Sequence, residues 1–156
     1  MHELKLENLG NQYFEDNEIT SLADYVKKVE ELYSILEKED RDNKENMVNN
    51  EDYDRRELYF RGQDNIEYGN TCPSLFRNNK RYEYEANMIN DFIAKYPDLF
   101  KDCQNNVDRL ALMQHHQLPT RLLDLTTNAL IALYFAVEKD NCKDGVVYVF
   151  NNFYNE

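Results

Sequence analysis

The chain of 156 residues lacks any apolar run approaching the ~18 residues that a membrane-spanning helix requires. Its first ten residues, MHELKLENLG, also lack the apolar core of a secretory signal, so no membrane contact is expected and a cytoplasmic location is. Cysteine is scarce. Cys72, Cys103 and Cys142 are odd in number and widely spaced, which fits neither a disulfide framework nor a zinc site and predicts three reduced thiols. Positive charge is short as well: 18 Lys and Arg stand against 30 Asp and Glu, a net charge of −12. Such a chain repels phosphate backbones and anionic lipid, which excludes non-specific nucleic-acid coating. Twelve tyrosines and eight phenylalanines are present, but without a basic stripe they do not make a base-stacking platform. There is no internal repeat and no low-complexity tract.

What is there reads as one domain. The hydrophobic content of 42% is enough for a single core, and the acidity is concentrated at the front, where residues 1–57 carry 17 acidic and 8 basic side chains. Leu22, Tyr25, Val26, Val29, Leu32, Tyr33 and Leu36 recur at steps of three and four, which predicts a helix over 21–38 with Ser21 as its cap. Residues 39–56 are almost wholly polar and are expected to form a mobile loop, since Met47, Val48 and Tyr53 bury too little to offset ordering. Residues 1–57 are thus read as an acidic helix and loop packed on a core of 58–156.

Within that core, Leu58-Tyr59-Phe60 predicts a strand over 57–61 that runs into a tight turn at Arg61-Gly62. Helices are predicted near 82–96, stopped by Pro97, and near 105–116, ended before Pro119. Another is predicted over 128–138, capped by Thr126 or Thr127. Its core, Ala129-Leu130-Ile131-Ala132-Leu133-Tyr134-Phe135-Ala136-Val137, is apolar on every side and is expected to be buried at the centre. Gly145-Val146-Val147-Tyr148-Val149-Phe150 predicts a second strand. The fold class expected is α+β: a small mixed sheet covered by about four helices in a single domain.

The polar turn Gln114-His115-His116-Gln117-Leu118-Pro119-Thr120-Arg121-Leu122-Leu123-Asp124 lies between two apolar helices. Buried polar groups need partners, so Arg121 and Asp124 are expected to pair with each other, with Thr120 or with groups from elsewhere. Either this turn is a structural network, or it walls a pocket in which Arg121 or a histidine faces a ligand. Adjacent residues diverge by about 100° on a helix, so His115 and His116 do not share a metal and no metal site is expected. A histidine with Asp124 is a candidate base for Thr120 or Ser74, yet no strand-turn-helix elbow surrounds either hydroxyl. Nothing near Cys72 activates its thiol.

Four blocks carry a resemblance. They are Phe60-Arg61-Gly62-Gln63, Pro73-Ser74-Leu75-Phe76-Arg77, the stretch from Gln114 through Leu125 to Thr126, and Ala129 to Ala136. In order and spacing they are similar to the FRG domain family, over about residues 20–150. Two positions depart from it: Gln117 stands where the family commonly has glycine, and Leu125 where it has tryptophan. The chain also ends at Glu156, before the family's usual C-terminal extension. The family is a prokaryotic one without an assigned reaction, and its members resemble components of mobile elements and phage defence loci. The resemblance therefore implies a toxin, effector or nucleotide-binding role by association only.

Arg61, a guanidinium fork beside a glycine, suits phosphate or carboxylate. Phe60-Arg61-Gly62 is also similar to the first-strand arginine motif of ADP-ribosyltransferases, which makes NAD a candidate cofactor. No Ser-Thr-Ser strand or catalytic glutamate accompanies it, the nearest hydroxyls being Thr120, Thr126 and Thr127. Two functions follow as expectations. In one, a small anionic or nucleotide-like ligand is bound by Arg61, Gly62, Gln63, Arg77, Gln114, Thr120 and Arg121. His115, His116 and Asp124 are then the candidates for transferase or hydrolase chemistry. In the other, the chain is a non-catalytic module whose acidic front recognises a basic protein partner.

Overall fold

The computed structural model describes residues 4–8, 18–46, 57–68, 71–78, 80–139 and 143–151. In chain order the elements are β1 (Leu4–Asn8), β2 (Glu18–Ile19), α1 (Leu22–Asn46), β3 (Leu58–Gln63), α2 (Glu85–Lys95), α3 (Asn106–His115), α4 (Ala129–Val137) and β4 (Gly145–Asn151). Short 3-10 turns occupy Ile66–Tyr68, Arg81–Tyr84 and Pro97–Phe100. The class is α+β. The chain divides into two compact units, Met1–Gly69 with Leu125–Glu156, and Asn70–Asp124.

The first unit holds the sheet, in the order β2-β1-β4-β3. It is mixed: β1 runs parallel to β4, while β1 with β2 and β3 with β4 are antiparallel. The sequence reading missed β1 and β2. Leu4-Lys5-Leu6-Glu7-Asn8 offers only two apolar residues to an alternation, so its strand state is set by the ladder it shares with β4. In the β3–β4 ladder Phe60 lies opposite Val149 and Gly62 opposite Val147. Side chains alternate along a strand, so Leu58, Phe60, Val147 and Val149 share one face. They form one buried cluster with Tyr25, Leu32 and Leu36 of α1 and Ala132 and Ala136 of α4.

The helix of α1 begins as expected, with the Asp24 amide donating to Ser21 Oγ at 3.1 Å. Two corrections follow further along. Its buried stripe is narrower than the periodicity suggests, because Leu22, Val26 and Tyr33 are exposed while Tyr25, Leu32 and Leu36 are buried. It also runs on to Asn46 through residues expected to be loop. Once a packed stripe has nucleated a helix, each added residue gains one backbone hydrogen bond, and the Glu, Arg and Lys residues of 39–45 resist that little. Residues 47–56 of the expected mobile loop lie outside the described residues.

The tight turn expected at Gly62 is also corrected, since β3 continues through it to Gln63. The glycine serves close approach instead of a turn. A Cβ at Gly62 would collide with the Ala132 carbonyl oxygen and lie 2.7 Å from the Ala132 carbonyl carbon and 2.9 Å from the Ala136 nitrogen. A Cβ at Gly145 would collide with the Ala136 carbonyl oxygen. Two glycines on adjacent strands thus form a trough into which the Ala132–Ala136 ridge of α4 settles backbone to backbone.

The entry to α4 is fixed by an isolated bridge. The Phe60 amide donates to the Thr126 carbonyl at 2.7 Å, and the Thr126 amide returns the bond at 2.9 Å. The cap is Asn128 and neither threonine: its Oδ1 accepts from the Leu130 and Ile131 amides, while Thr126 Oγ1 steadies the Asn128 amide. Nor is α4 buried on every side. Only Ala132 and Ala136 are buried, and Leu130, Ile131, Tyr134, Phe135 and Val137 are exposed. A helix that covers one sheet can turn only one side to it.

The second unit contains α2 and α3. An Asn105–Asp108 capping box starts α3, in which the Asp108 amide donates to Asn105 Oδ1 at 2.9 Å and the Asn105 amide to Asp108 Oδ2 at 3.3 Å. At its far end the Gln117 amide donates to the Gln114 carbonyl and the Leu118 amide to the Met113 carbonyl, the bond pair of a Schellman motif. Gln117 therefore adopts φ 66°, as expected of a side chain standing in a glycine position.

Candidate ligand-binding groove

The polar turn of the second unit is assembled around one buried hydroxyl. Thr120 Oγ1 donates to Gln114 Oε1 in a short bond and accepts from the Leu122 amide at 3.2 Å. The Thr120 amide donates to Ser74 Oγ at 3.2 Å, and the Leu75 amide donates to the Thr120 carbonyl at 3.1 Å. Gln114 Nε2 in turn donates to Asp124 Oδ1 at 2.7 Å. Gln114, Thr120 and Asp124 are thereby brought together, with Ser74, as an internal brace.

The charged members of the turn also have protein partners. Arg121 forms a fork on Glu85 at the start of α2, with Nε donating to Oε1 at 2.7 Å and Nη2 to Oε2. Hydrogen bonding from Arg121, helped by its charge and opposed by burial, holds the Glu85 carboxyl below the usual range; the same pairing raises the guanidinium. Arg77 Nε donates to the Cys72 carbonyl at 3.0 Å. The His115 and His116 rings stand edge to face with centroids 5.5 Å apart, and His116 lies 6.1 Å from the Phe92 ring. His116 has left helical geometry, at φ −87° and ψ 20°, as the C-cap of α3. Among the described residues no three His, Cys, Asp or Glu side chains are grouped to hold a metal ion.

Between α2 and α3 lies a groove of about 490 Å³. Its composition follows from two matching helical faces. On α2 the lining residues are Ala86, Ile89, Asn90 and Ile93; on α3 they are Asn106, Arg109, Leu110 and Met113. Both sets follow the i, i+3, i+4, i+7 spacing of a single helix face. The aliphatic members give an apolar floor, and the Arg121–Glu85 fork closes one side. Arg109, Asn90 and Asn106 make no side-chain hydrogen bond or ion pair among the described residues. The groove thus offers one cation without a counter-ion and two amides with their capacity unused. Neither histidine lines it.

Sequence reasoning picked out Arg121, which Glu85 holds, and passed over Arg109, which no carboxylate holds among the described residues. The available signal was spacing, since Arg109 falls on the same helix face as Asn106, Leu110 and Met113.

In the first unit, Arg61, Gly62 and Gln63 are consecutive on β3. Arg61 pairs with Tyr148 in the ladder and faces away from the helix-covered side, half-buried. Gly62 is taken up by contact with α4. Gln63 is buried, its Nε2 donating to the Asn65 carbonyl at 2.9 Å. A separate recess of about 290 Å³ in this unit is lined by Tyr33, Leu36, Glu37, Asp40, Glu57, Leu58 and Thr127. No described helix is long and apolar enough to cross a membrane.

Residues 56–145 match the FRG domain. That span includes β3, the polar turn, both groove helices and α4. No curated protein and no solved structure gives a match.

Proposed function

The chain belongs to the FRG domain family, and from that premise we propose that it binds a small anionic ligand with an apolar or planar body, such as a nucleotide, in the α2–α3 groove. The observation that carries this is Arg109, a guanidinium without a carboxylate partner among the described residues, at the wall of an apolar-floored cavity in a chain of net charge −12. A guanidinium at the edge of a groove that no carboxylate holds is available to a ligand's anion. The volume falls within the ~300–1,000 Å³ usual for small-molecule sites, and an aliphatic floor with a few polar groups is their usual lining. Asn90 and Asn106 supply donors and acceptors that orient the ligand. Arg121 is steadied by Glu85 and contributes a fixed positive edge. The role is one of binding, in the cytoplasm, and suits a nucleotide-responsive component of a defence locus.

The test is thermal stabilisation by AMP, NAD and inorganic phosphate, measured on the full chain and on Arg109→Ala. A ligand at about 100 times its Kd stabilises by ~2.7 kcal/mol. The native chain is expected to show a concentration-dependent rise in Tm with at least one nucleotide. Arg109→Ala should keep the unliganded Tm and lose the rise. Equal responses from both proteins, or none from either, would overturn the assignment.

The acidic recess of the first unit favours a second role. Tyr33, Leu36 and Leu58 with Glu37, Asp40 and Glu57 match the stem and head of a lysine or arginine, as a basic protein partner would present them. Binding of that kind would survive Arg109→Ala and weaken with Glu37→Lys.

A further inference from the structure

The groove between α2 and α3 has a charge balance as well as a shape. Of the residues that line it, only Glu85, Arg109 and Arg121 ionise; Asn90 and Asn106 are neutral amides, and the others are apolar. Glu85 and Arg121 cancel, because the fork joins two nitrogen donors of the guanidinium to both carboxylate oxygens. The carboxylate is the more enclosed member, its side chain 15% exposed against 56% for Arg121. The positive end of α3, which begins at Asn106, does not add to the balance. Asp108 sets a carboxylate in that first turn, its Oδ2 accepting from the Gln104 amide at 3.0 Å and the Asn105 amide at 3.3 Å. One positive charge is left over, that of Arg109, which no carboxylate holds among the described residues.

We infer that the ligand of this groove is a nucleotide whose phosphate carries a single negative charge, a phosphodiester such as a cyclic nucleotide, in preference to one that ends in a terminal phosphate. The inference rests on the nucleotide reading of the groove given above and names the class within it. A terminal phosphate carries about −1.5 to −2 at neutral pH, since its second pKa is about 6. Arg109 neutralises one unit of that charge. The remainder shares the groove with the Glu85 carboxylate, inside the field of a chain of net charge −12, and is opposed by both. A diester brings one charge and two unesterified oxygens, which a guanidinium can engage as a pair and neutralise in full. Asn90 and Asn106 serve sugar hydroxyls and the edge of the base without altering the balance, because an amide donates and accepts but carries no charge. Ile89, Ile93, Leu110 and Met113 supply the apolar surface for the face of the base.

Titration calorimetry of the full chain with cyclic AMP and with AMP tests this, in low salt at about pH 7.5 and about pH 5.5, on either side of the terminal phosphate's second pKa. Cyclic AMP is expected to bind about tenfold or more tightly than AMP at the higher pH. At the lower pH AMP has taken up a proton, and the gap should close to about threefold or less. The groove itself does not titrate over that range. Both arginines stay charged, hydrogen bonding from Arg121 holds the Glu85 carboxyl below its usual range, and neither histidine lines the cavity. Added salt should narrow the gap at the higher pH, because screening weakens the repulsion that sets it. In Glu85→Gln, which removes the carboxylate and leaves two cations, AMP should draw level with cyclic AMP. Equal affinities in the native chain at the higher pH, or a preference that persists in acid or in Glu85→Gln, would overturn the inference while leaving nucleotide binding in place. Absence of binding by both ligands, or binding that Arg109→Ala leaves unchanged, would overturn the nucleotide reading and the charge preference with it.

Discussion

The two compact units solve the packing problem in opposite ways. In the first, the Ala132–Ala136 backbone of α4 rests directly on Gly62 and Gly145, and at these two points no side chain of the sheet stands between them. In the second, α2 and α3 leave a groove between them, and the chain around it is held by side-chain bonds: Thr120 to Gln114, Gln114 to Asp124, Arg121 to Glu85. Contact between backbones leaves no room for adjustment. A side-chain brace surrounding an open groove leaves the groove walls free to be shaped by what they bind. The seam should therefore be intolerant of the smallest addition, while the groove accepts large changes at little cost in stability.

The sharpest way to break this contrast is Gly62→Ala. The added methyl meets backbone atoms that cannot rotate away, so a loss of about 3 kcal/mol or more in urea unfolding is expected, at the upper end for over-packing. Arg109→Ala removes far more atoms and should change stability by less than ~0.5 kcal/mol. Similar losses for the two would end the distinction.

A smaller effect of opposite sign is expected at Gln117. Its φ of 66° suits glycine, so Gln117→Gly should relieve the left-handed strain at the end of α3. The expected gain is up to ~1 kcal/mol, seen as a higher urea midpoint, and a loss would mean that the side chain contributes contacts exceeding the strain.

The smallest concerns pH. Because Arg121 lowers the folded-state pKa of Glu85, the pair contributes stability above the ordinary glutamate value of ~4.3, and that contribution is lost as pH falls through the lowered value. Urea midpoints measured at stepped acidic pH should fall less steeply for Glu85→Gln than for the native chain. Parallel curves would show that the fork, exposed on its arginine side, adds no pH-dependent stability.

What could be read in advance depended on how local the cause was. The helices near 82–96 and 105–116 were legible because their stripes and the prolines after them lie within a few residues of one another. The special conformation at Gln117 was legible from a single departure in a family motif. By contrast, β1 depends on a partner strand at the far end of the sequence, and α4 looks fully buried until one knows that a single layer lies beneath it. The site shows the same division. The polar turn was visible as a cluster, but Glu85, the residue that holds Arg121, stands 36 positions away. Because that partner is distant in sequence, the cluster pointed to Arg121 and gave no sign of Arg109.

One consequence of the sheet order remains. Its two inner strands, β1 and β4, are the first and last of the described elements, and they are directly bonded to each other. Until residues 145–151 have been made, β1 has only β2 beside it and its β4-facing edge stays unmatched, so the central pairing of the sheet waits for them. Such distant pairing gives a high contact order and slow folding, and the waiting strand is where a chaperone would be needed.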